Sequence, residues 1–306
     1  MLVLFMTKKI ALITGISGQD GAYLAKFLLK KNYKIIGAER RSARNNNWRL
    51  EKLNIANKVT IEDIDIKEIN NLIRLFSKYK INEVYNLAAQ SFVYSSFQNP
   101  IETSQVNAIG TLNLLEIIRN QKNKIKFYQA STSEMFGKVQ ETPQNEKTPF
   151  YPRSPYGVAK VYAHWITINY REAYNIFASN GILFNHESPM RGETFVTKKI
   201  VSALCKIKLK KQKKLFLGNL NAKRDWGHAR DYVEAMWKML QKSKPDDYVI
   251  ATGKQYSVKQ FVDLVLKELN IKYFWKGKGI NSKCFEKGGK CIVECDKAYY
   301  RPLEVD

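Results

Sequence analysis

From Lys9 to about Gln129, short apolar runs rich in β-branched residues alternate with amphipathic helical patterns. The strand-like runs are Ile10–Thr14, Lys34–Gly37, Val59–Ile61, Glu83–Leu87 and Ile125–Tyr128, and the helical patterns begin at Ala22 and cover Ile66–Lys78 and Gln105–Asn120. Strands that alternate with helices are typical of a parallel sheet covered by helices on both faces. The pattern therefore predicts an α/β fold with a doubly wound, Rossmann-type sheet.

After Asn145 the pattern becomes less regular and richer in loops. It predicts a long helix at Tyr156–Ala173, a strand at Phe177–Phe184, and further helices from Val196, at Arg230–Gln241 and at Val258–Leu269. We therefore predict a Rossmann domain at residues 7–180, to which the chain returns in part around 220–255. Residues 181–306 are predicted to form mostly a smaller C-terminal α+β domain.

Composition is that of a globular chain of 306 residues, 44% of them hydrophobic, which is long enough to bury a large core. No apolar run approaches the roughly 18 to 20 residues that a membrane-spanning helix needs. Met1–Met6 is too short for the apolar region of a signal peptide. We expect a cytoplasmic protein without a membrane partner.

The formal net charge is +23, from 51 basic and 28 acidic residues, and a lysine-rich run covers Lys206–Lys214. Such an excess can indicate nucleic-acid binding. Here the lysines are scattered along the whole chain and no nucleic-acid-binding motif accompanies them. We expect no nucleic-acid partner, although a basic protein also attracts phosphorylated ligands.

Cysteine usage does not favour a metal site. The four cysteines form no CxxC pair, and the three histidines lie far in sequence from the late cysteines. Structural zinc usually requires four closely spaced Cys or His ligands. We predict no bound metal and a reducing compartment.

A glycine-rich segment lies directly between the first strand and the first helix. In this context glycines permit a tight turn and let backbone N–H groups approach a pyrophosphate. The spacing is GxxGxxG, one residue wider at the first step than the common dinucleotide fingerprint. The segment predicts dinucleotide binding by Gly15, Ile16, Ser17, Gly18, Gln19, Asp20 and Gly21.

The end of the second strand bears on the choice between NAD and NADP. A carboxylate there suits the ribose 2′-hydroxyl of NAD, whereas arginine suits the 2′-phosphate of NADP. Glu39 favours NAD, while Arg40, Arg41 and Ser42 favour NADP. We predict NADP, bound through Arg40, with Glu39 turned towards solvent. Further predicted cofactor contacts follow the third and fourth strands, at Asp63, Ile64, Leu87, Ala88, Ala89, Gln90 and Ser91.

Candidate catalytic groups follow the fifth strand and begin the next helix. Thr132 and Glu134 lie at the predicted strand end, and Tyr156 and Lys160 are four residues apart, so they share one helix face. A neighbouring ammonium favours the charged form of a phenol, which lets the tyrosine exchange protons with a substrate hydroxyl near neutral pH. A nearby carboxylate is needed only if a carbon acid is also deprotonated.

Seven segments spread over nearly the whole chain carry a resemblance to known enzymes. They are Gly15–Gly21, Gly37–Ser42, Ala130–Gly137, Arg153–Lys160, Phe184–Phe195, Arg224–Tyr232 and Tyr300–Glu304. The chain resembles the extended short-chain dehydrogenases/reductases and, within them, the GDP-mannose 4,6-dehydratase family. The Asn-His-Glu-Ser-Pro stretch from Asn185 and Arg-Asp-Trp-Gly-His from Arg224 are far more specific than the tyrosine-lysine pair.

This resemblance implies dehydration of GDP-mannose to GDP-4-keto-6-deoxymannose with NADP, a hydro-lyase reaction in which hydride moves from C4 to C6. It implies that Tyr156 removes the C4 hydroxyl proton and that Thr132 hydrogen-bonds the C4 oxygen. Lys160 would lower the tyrosine pKa and hold the nicotinamide ribose. Glu134 would take the C5 proton and assist the loss of water.

By the same resemblance, further cofactor contacts are Glu102, His186 and Arg191. Contacts to the GDP-sugar are Ser91, Asn185, Lys199, Arg224, Arg301 and Glu304. On this basis NADP binding is assigned to residues 7–180 and substrate binding mostly to 181–306.

The chain departs from the family pattern in three places. Glu102 stands where relatives usually have an aromatic residue, and Met190 replaces a usual basic residue before Arg191. The sequence stops at Asp306, where relatives continue, so we expect a chain truncated at its C-terminus.

Alternatives remain open at this point. A nucleotide-sugar epimerase or 4-keto reductase of the same fold would need Tyr156 and Lys160 but not Glu134. A cofactor-binding or nucleic-acid-binding protein without turnover is the alternative from a different class. The resemblance also implies a homodimer or homotetramer, with residues 40–49 a candidate intersubunit contact.

Overall fold

Within residues 8–300, which the computed structural model describes, seven parallel strands form the main sheet and shorter strands form two smaller ones. The strands are β1 (Ile10–Thr14), β2 (Lys34–Glu39), β3 (Thr60–Asp63), β4 (Glu83–Asn86), β5 (Lys126–Thr132), β6 (Phe177–Leu183), β7 (Asn185–Glu187), β8 (Leu215–Leu217), β9 (Lys223–His228), β10 (Asp247–Ile250), β11 (Gln255–Ser257), β12 (Tyr273–Lys276), β13 (Lys283–Glu286) and β14 (Cys291–Cys295).

The α-helices of the described residues separate most of these strands. They are α1 (Gln19–Lys30), α2 (Trp48–Lys52), α3 (Ile69–Lys78), α4 (Val93–Gln98), α5 (Pro100–Ser104), α6 (Gly110–Arg119), α7 (Pro155–Tyr174), α8 (Val196–Lys208), α9 (Ala229–Leu240) and α10 (Val258–Glu268). None of these helices is long and apolar enough to cross a membrane.

The chain divides into two compact units. The first contains the described residues up to His186 and then His228–Ile250, and the second contains Glu187–Gly227 and the described residues from Ala251 onward.

The first unit is built on the parallel sheet, in the order β10-β6-β5-β4-β1-β2-β3. α1 packs against α9, while α6 packs against both α3 and α7. The apolar core beneath the second group joins alternate strand residues, including Leu12, Ile36, Val84 and Phe127, to helix residues such as Leu114. The predicted doubly wound α/β fold is confirmed, because consecutive positions along β1 and β4 are buried, as in a parallel sheet that helices cover on both faces.

The second unit contains short strands and helices, as predicted for the smaller α+β domain. β12, β13, β14 and β8 are neighbours in that order, and β9 pairs antiparallel with β11. The core of this unit joins α8 and α10 to the four-stranded sheet and includes Ile200, Leu204, Val262, Ile292 and Val293.

Several predicted element boundaries are corrected by the structure. α1 begins at Gln19 instead of Ala22, and the single helix expected at Gln105–Asn120 is divided into a π-helical turn at Gln105–Ile109 and α6. The π turn begins directly after α5, so apolar periodicity continues through both elements and conceals the change of winding.

A buried carboxylate, Glu83, stabilises the amino ends of the strands. It is 1% exposed. It accepts hydrogen bonds from the phenols of Tyr33 at 2.9 Å and Tyr85 at 2.7 Å, and it also contacts Lys9 Nζ and Gln241 Nε2, each at 3.3 Å. Because so many donors converge on Glu83, loss of the carboxylate leaves buried hydroxyls without an acceptor.

Replacing Glu83 by leucine should lower the free energy of unfolding by about 3 kcal/mol, since each unsatisfied buried hydroxyl costs about 1–3 kcal/mol. Denaturant unfolding measures this loss. The control is Glu234→Leu, which removes an exposed carboxylate paired with Lys238 on α9 and should change stability by no more than about 0.5 kcal/mol. Equal losses in the two variants would contradict a special role for Glu83.

Candidate functional site

The glycine-rich turn after β1 has the geometry of a phosphate-binding turn. Gly15 has φ of +68°, and an added Cβ there would lie 3.0 Å from the backbone nitrogen of Ala88. At Gly21 an added Cβ would lie 2.4 Å from the Gly15 carbonyl oxygen, so only glycine lets α1 pack this closely against the turn. Gly18 occupies the N-cap of α1, which leaves backbone N–H groups of the first helical turn to face a bound anion.

Ile16 occupies a different position from its neighbours in this turn. Its side chain is fully buried, and a Cβ added at Gly37 would lie 2.4 Å from Ile16 Cδ1. Ile16 therefore packs the turn onto β2 and has only its backbone to offer a cofactor.

A buried hydrogen-bond network aligns the carboxyl ends of β1, β4 and β5. Thr14 Oγ1 donates to Asn86 Oδ1 at 2.7 Å and accepts from the backbone N–H groups of Leu87 and Ala88, both at 3.0 Å. Asn86 Nδ2 donates to Gln129 Oε1 at 2.8 Å. The network holds the loop after β4 against the glycine turn.

The rest of that loop is held by Asn107 in the π turn. The backbone N–H of Gln90 donates to Asn107 Oδ1 at 2.9 Å, and Asn107 Nδ2 donates to the Gln90 carbonyl at 3.1 Å. Asn107 is 1% exposed, whereas Ala89 is partly buried and Ser91 is exposed. Sequence reasoning missed Asn107, because an asparagine within a helical pattern carries no signal for a distant loop.

Asp20 and His186, both predicted cofactor contacts, bind each other. Asp20 Oδ2 lies 2.6 Å from His186 Nε2, and the Phe184 carbonyl lies 2.8 Å from His186 Nδ1. Gln19 Nε2 donates to the His186 carbonyl at 3.1 Å, and the Tyr232 ring stacks on the imidazole at 4.4 Å. These contacts tie the start of α1 to the segment after β6. The stacking of Tyr232 was not predicted from the sequence.

Arg40 lies at the end of β2, where a 2′-phosphate contact is predicted, and forms an ion pair with Glu102. Arg40 Nη1 lies 3.2 Å from Glu102 Oε1, and Lys67 Nζ lies 3.0 Å from Glu102 Oε2. The nearby Asp63 carboxylate accepts from the Arg41 backbone N–H at 2.9 Å.

Two residues beside this cluster are at least partly buried. Ile64 is 4% exposed and donates its backbone N–H to the Glu39 carbonyl at 2.9 Å. Glu39 itself is partly buried, whereas the sequence reasoning expected it to face solvent.

Arg49 is a further residue that the sequence reasoning did not assign to the cofactor site. Its Nη1 donates to the Ser17 carbonyl at 2.9 Å, and its guanidinium lies 4.3 Å from the centre of the Trp48 ring. An arginine at the base of the glycine turn adds positive charge where a pyrophosphate would bind.

The predicted catalytic carboxylate lies in a short turn after β5. Thr132 caps this turn, accepting from the Glu134 backbone N–H at 3.3 Å. The start of α7 packs against the same turn, since a Cβ added at Gly157 would lie 2.9 Å from the Glu134 carbonyl oxygen. Thr132 and Glu134 therefore lie next to the helix that carries Tyr156 and Lys160.

Tyr156 and Lys160 are both buried, at 8% and 3% exposure. Lys160 Nζ donates to the Ala130 carbonyl at 2.8 Å and lies 5.9 Å from the centre of the Tyr156 ring. Burial lowers the pKa of Lys160 to about 8. An ammonium held in a poorly solvated position interacts strongly with a nearby phenolate, which suits acid–base chemistry by the tyrosine.

The remaining predicted ligands are distributed between the two units. Asn185 begins β7 in the first unit. In the second unit Arg191 Nε pairs with Glu187 at 3.2 Å, and Lys199 Nζ lies 3.4 Å from the centre of the Tyr299 ring. Arg224 Nη1 donates to the Lys223 carbonyl at 2.7 Å. Arg301 and Glu304 lie outside the described residues.

Asp225, in the specific Arg-Asp-Trp-Gly-His stretch, has a structural contact. Its carboxylate accepts from the backbone N–H groups of Thr252 at 3.0 Å and Gly253 at 2.7 Å, and from Thr252 Oγ1 at 2.9 Å. It therefore holds the loop that precedes β11.

Comparison with known proteins identifies the family. A family model described as GDP-mannose 4,6 dehydratase matches residues 12–306. The GDP-mannose 4,6-dehydratase of Vibrio cholerae serotype O1 is 54% identical, over 98% of this chain and 86% of the relative. The chain belongs to the GDP-mannose 4,6-dehydratase family. The Drosophila melanogaster member is 52% identical over 97% of this chain and 78% of its own length.

Solved structures agree on the fold. A dTDP-glucose 4,6-dehydratase from Bacillus anthracis in complex with NAD superposes with a TM-score of 0.77 at 23% identity, over 94% of this chain and 84% of its own. The corresponding enzyme from Streptomyces venezuelae, with NAD bound, gives 0.79 at 19% identity, over 95% and 86%. The family model and the curated relatives confirm the resemblance to the GDP-mannose 4,6-dehydratase family that the sequence motifs indicated.

Proposed function

We propose that this chain is a hydro-lyase that converts GDP-mannose to GDP-4-keto-6-deoxymannose and water. Glu134 is the observation that carries the proposal, because its turn at the carboxyl end of β5 packs against the start of α7, the helix that carries the buried Tyr156 and Lys160. A tyrosine-lysine pair supports transfer of hydride and a proton at one carbon. The added carboxylate supports removal of a carbon-bound proton, which a plain reductase does not need.

The glycine turn suits the pyrophosphate of the proposed cofactor, NADP. Gly15 adopts a positive φ and Gly21 lets α1 pack closely against the turn, so the first backbone N–H groups of α1 follow the turn directly. Arg40 would contact the 2′-phosphate, and Lys160 the nicotinamide ribose. The nicotinamide would supply the hydride chemistry that the proposed transfer from C4 to C6 needs.

The protein groups would move the protons. The Tyr156 phenolate accepts the proton of the C4 hydroxyl while Thr132 donates a hydrogen bond to the C4 oxygen, and the Lys160 ammonium stabilises the phenolate. The resulting C4 ketone acidifies the C5 hydrogen. Glu134 takes this C5 proton and delivers a proton to the departing C6 hydroxyl, which leaves as water. When hydride has reached C6, C5 takes up a proton, which balances the proton that Tyr156 accepted from the C4 hydroxyl.

Substrate contacts remain part of the proposal. Ser91, Asn185, Lys199 and Arg224 would contact the GDP-sugar, together with Arg301 and Glu304. Arginine suits the diphosphate because its planar fork donates two hydrogen bonds at once. Burial lowers the pKa of Lys199, and an ammonium short of solvent gains more from a phosphate partner.

GDP-mannose carrying deuterium at C4 tests the reaction. Mass spectrometry and NMR should find a product that has lost water and carries one deuterium at C6, with no net consumption of NADP. Product without deuterium at C6 would contradict the internal hydride transfer. Absence of any 4-keto-6-deoxy product from folded protein supplied with NADP and NAD would reject the function.

We also propose that two copies associate through the outer face of α7. Val158, Tyr162 and Trp165 follow one another at helical spacing and are 56%, 40% and 56% exposed, while Tyr156 and Lys160 on the same helix are buried. α5 packs against α7 and adds Ile101, which is 74% exposed. A second copy would cover this patch by a symmetric pairing of helices.

Light scattering after size-exclusion chromatography should give the mass of a dimer, or of a tetramer that uses this contact. Trp165→Glu should shift the mass towards that of a monomer at micromolar concentration. Leu264→Glu, at 51% exposure on α10, is the control and should leave the mass unchanged. A wild-type monomer would contradict the proposal.

A further inference from the structure

Four charged side chains lie together at the place where Arg40 would meet the 2′-phosphate. Glu102, in α5, bridges Arg40 at 3.2 Å and Lys67 at 3.0 Å, and Lys67 Nζ is also 3.7 Å from Asp65 Oδ2. Two cations and two carboxylates sum to zero. The group that would recognise a phosphate dianion therefore has no net positive charge of its own.

We propose that Glu102 is a specificity-determining residue that weakens the preference of this enzyme for NADP over NAD. This inference rests on the proposed function, in which Arg40 contacts the 2′-phosphate. NAD lacks that phosphate, so the charge of Glu102 should affect the binding of NADP and leave that of NAD nearly unchanged.

A competing role for Glu102 is to hold Arg40 ready for the phosphate. Two observations indicate that Glu102 instead opposes binding of the 2′-phosphate. The pair uses one nitrogen of the guanidinium, and the Arg40 side chain is 66% exposed, so the contact restrains it weakly. Lys67 is less exposed, at 24%, and forms a hydrogen bond with each oxygen of the Glu102 carboxylate, so Lys67 is the stronger anchor.

The anchored carboxylate remains near an incoming phosphate even when Arg40 moves to meet the ligand. Each negative charge on the 2′-phosphate is then repelled, and the effect is moderate because the cluster contacts solvent. Arg41 and Ser42 still favour a phosphate at this position, so we expect NADP binding to be reduced and not abolished.

The test is the ratio of the dissociation constants of NAD and NADP, measured by calorimetry on the wild type and on Glu102→Gln. The ratio should rise about threefold to tenfold in the variant, through tighter NADP binding. Raised ionic strength should reduce this gain, because exposed charges are screened. Both ligands bind the same protein sample, so a loss of folded protein would change both constants equally and leave the ratio unaffected.

Two further variants make the result specific. Glu234→Gln changes the net charge identically at the exposed pair with Lys238 on α9 and should leave the ratio unchanged. In an Arg40→Met background, Glu102→Gln should still raise the ratio, because the anchored carboxylate repels the 2′-phosphate directly, and loss of the gain would contradict this repulsion.

The outcomes separate this inference from the function on which it rests. An unchanged or lowered ratio in Glu102→Gln, with both cofactors bound, overturns the role of Glu102 and leaves the dehydratase intact. Failure of the wild type to bind either cofactor overturns both.

Discussion

Lys160→Met should reduce kcat for GDP-mannose dehydration by about 10²–10⁴-fold while making the cofactor-free protein more stable. The activity is lost because methionine has no charge to stabilise the Tyr156 phenolate and no donor for the nicotinamide ribose. The stability rises because methionine fills a buried position without the cost of an unsolvated ammonium.

The pKa of Lys160 gives the size and sign of the stability change. Burial lowers the pKa to about 8 in the folded protein, from 10.5. Both folded and unfolded forms carry the charge below pH 8, so the full cost of about 3 kcal/mol is present at pH 7. The hydrogen bond to the Ala130 carbonyl offsets part of it, so a gain of about 1–2 kcal/mol is expected in Lys160→Met. As pH rises from about 8 to 10.5 the folded protein loses the proton first, and the advantage of the variant disappears.

Denaturant unfolding at pH 7 and at pH 10 measures this difference, alongside the rate of product formation. Lys126→Met is the control, at the other end of β5, where Nζ donates to the Leu240 carbonyl at 2.5 Å. It should keep kcat within about twofold. If Lys160→Met is less stable than the wild type, burial of the Lys160 ammonium does not destabilise the folded protein. If Lys160→Met keeps its activity, Lys160 has no catalytic role.

Wild-type turnover should also depend on this ammonium. The rate should fall as pH rises through about 8, because neutral Lys160 no longer stabilises the phenolate. A pH profile of kcat tests this expectation. A rate that keeps rising above pH 9 would mean that Tyr156 does not need the charge.

Glu134→Gln should lower the rate of product formation by about 10²–10⁴-fold and leave the first half of the reaction in place. The amide keeps the size and a hydrogen-bonding group in the turn after Thr132, but it cannot remove the C5 proton. Oxidation at C4 uses Tyr156 and Lys160, which are unchanged. Quenched single-turnover mixtures should therefore contain a 4-keto sugar that has kept its C6 oxygen.

Ser133→Ala is the matched control, since it alters the same turn without changing the proposed proton transfer, and should retain activity within about threefold. Near wild-type product from Glu134→Gln would remove the carboxylate from the mechanism. The remaining tyrosine-lysine pair would then suit the epimerase or 4-keto reductase alternative.

Strand and helix prediction succeeded where the pattern was local. β1 and the start of β4 lie where the alternation of apolar runs placed them, because a strand buried on both faces is mostly apolar along its length. The short strands β12, β13 and β14 were not predicted. Each has only four or five residues, with aromatic or cysteine side chains that carry no clear period.

Within the site, the sequence identified residue types and their order along the chain. The glycine spacing predicted the turn at Gly15–Gly21, and the family motifs selected Glu134 with Tyr156 and Lys160. These features can be predicted from the sequence because a turn or a four-residue helical spacing depends on neighbouring residues alone.

Contacts between distant residues were decided by the tertiary structure. The sequence could name Glu102 as a departure from the family pattern, but only the fold brings it to Arg40 and Lys67, 62 and 35 residues away. The same holds for Asp20 and His186, separated by 166 positions. Packing of α7 against β5 removes Lys160 from water and so lowers its pKa. Such effects depend on which groups surround a side chain in space. The spacing of residues along the chain does not determine that environment.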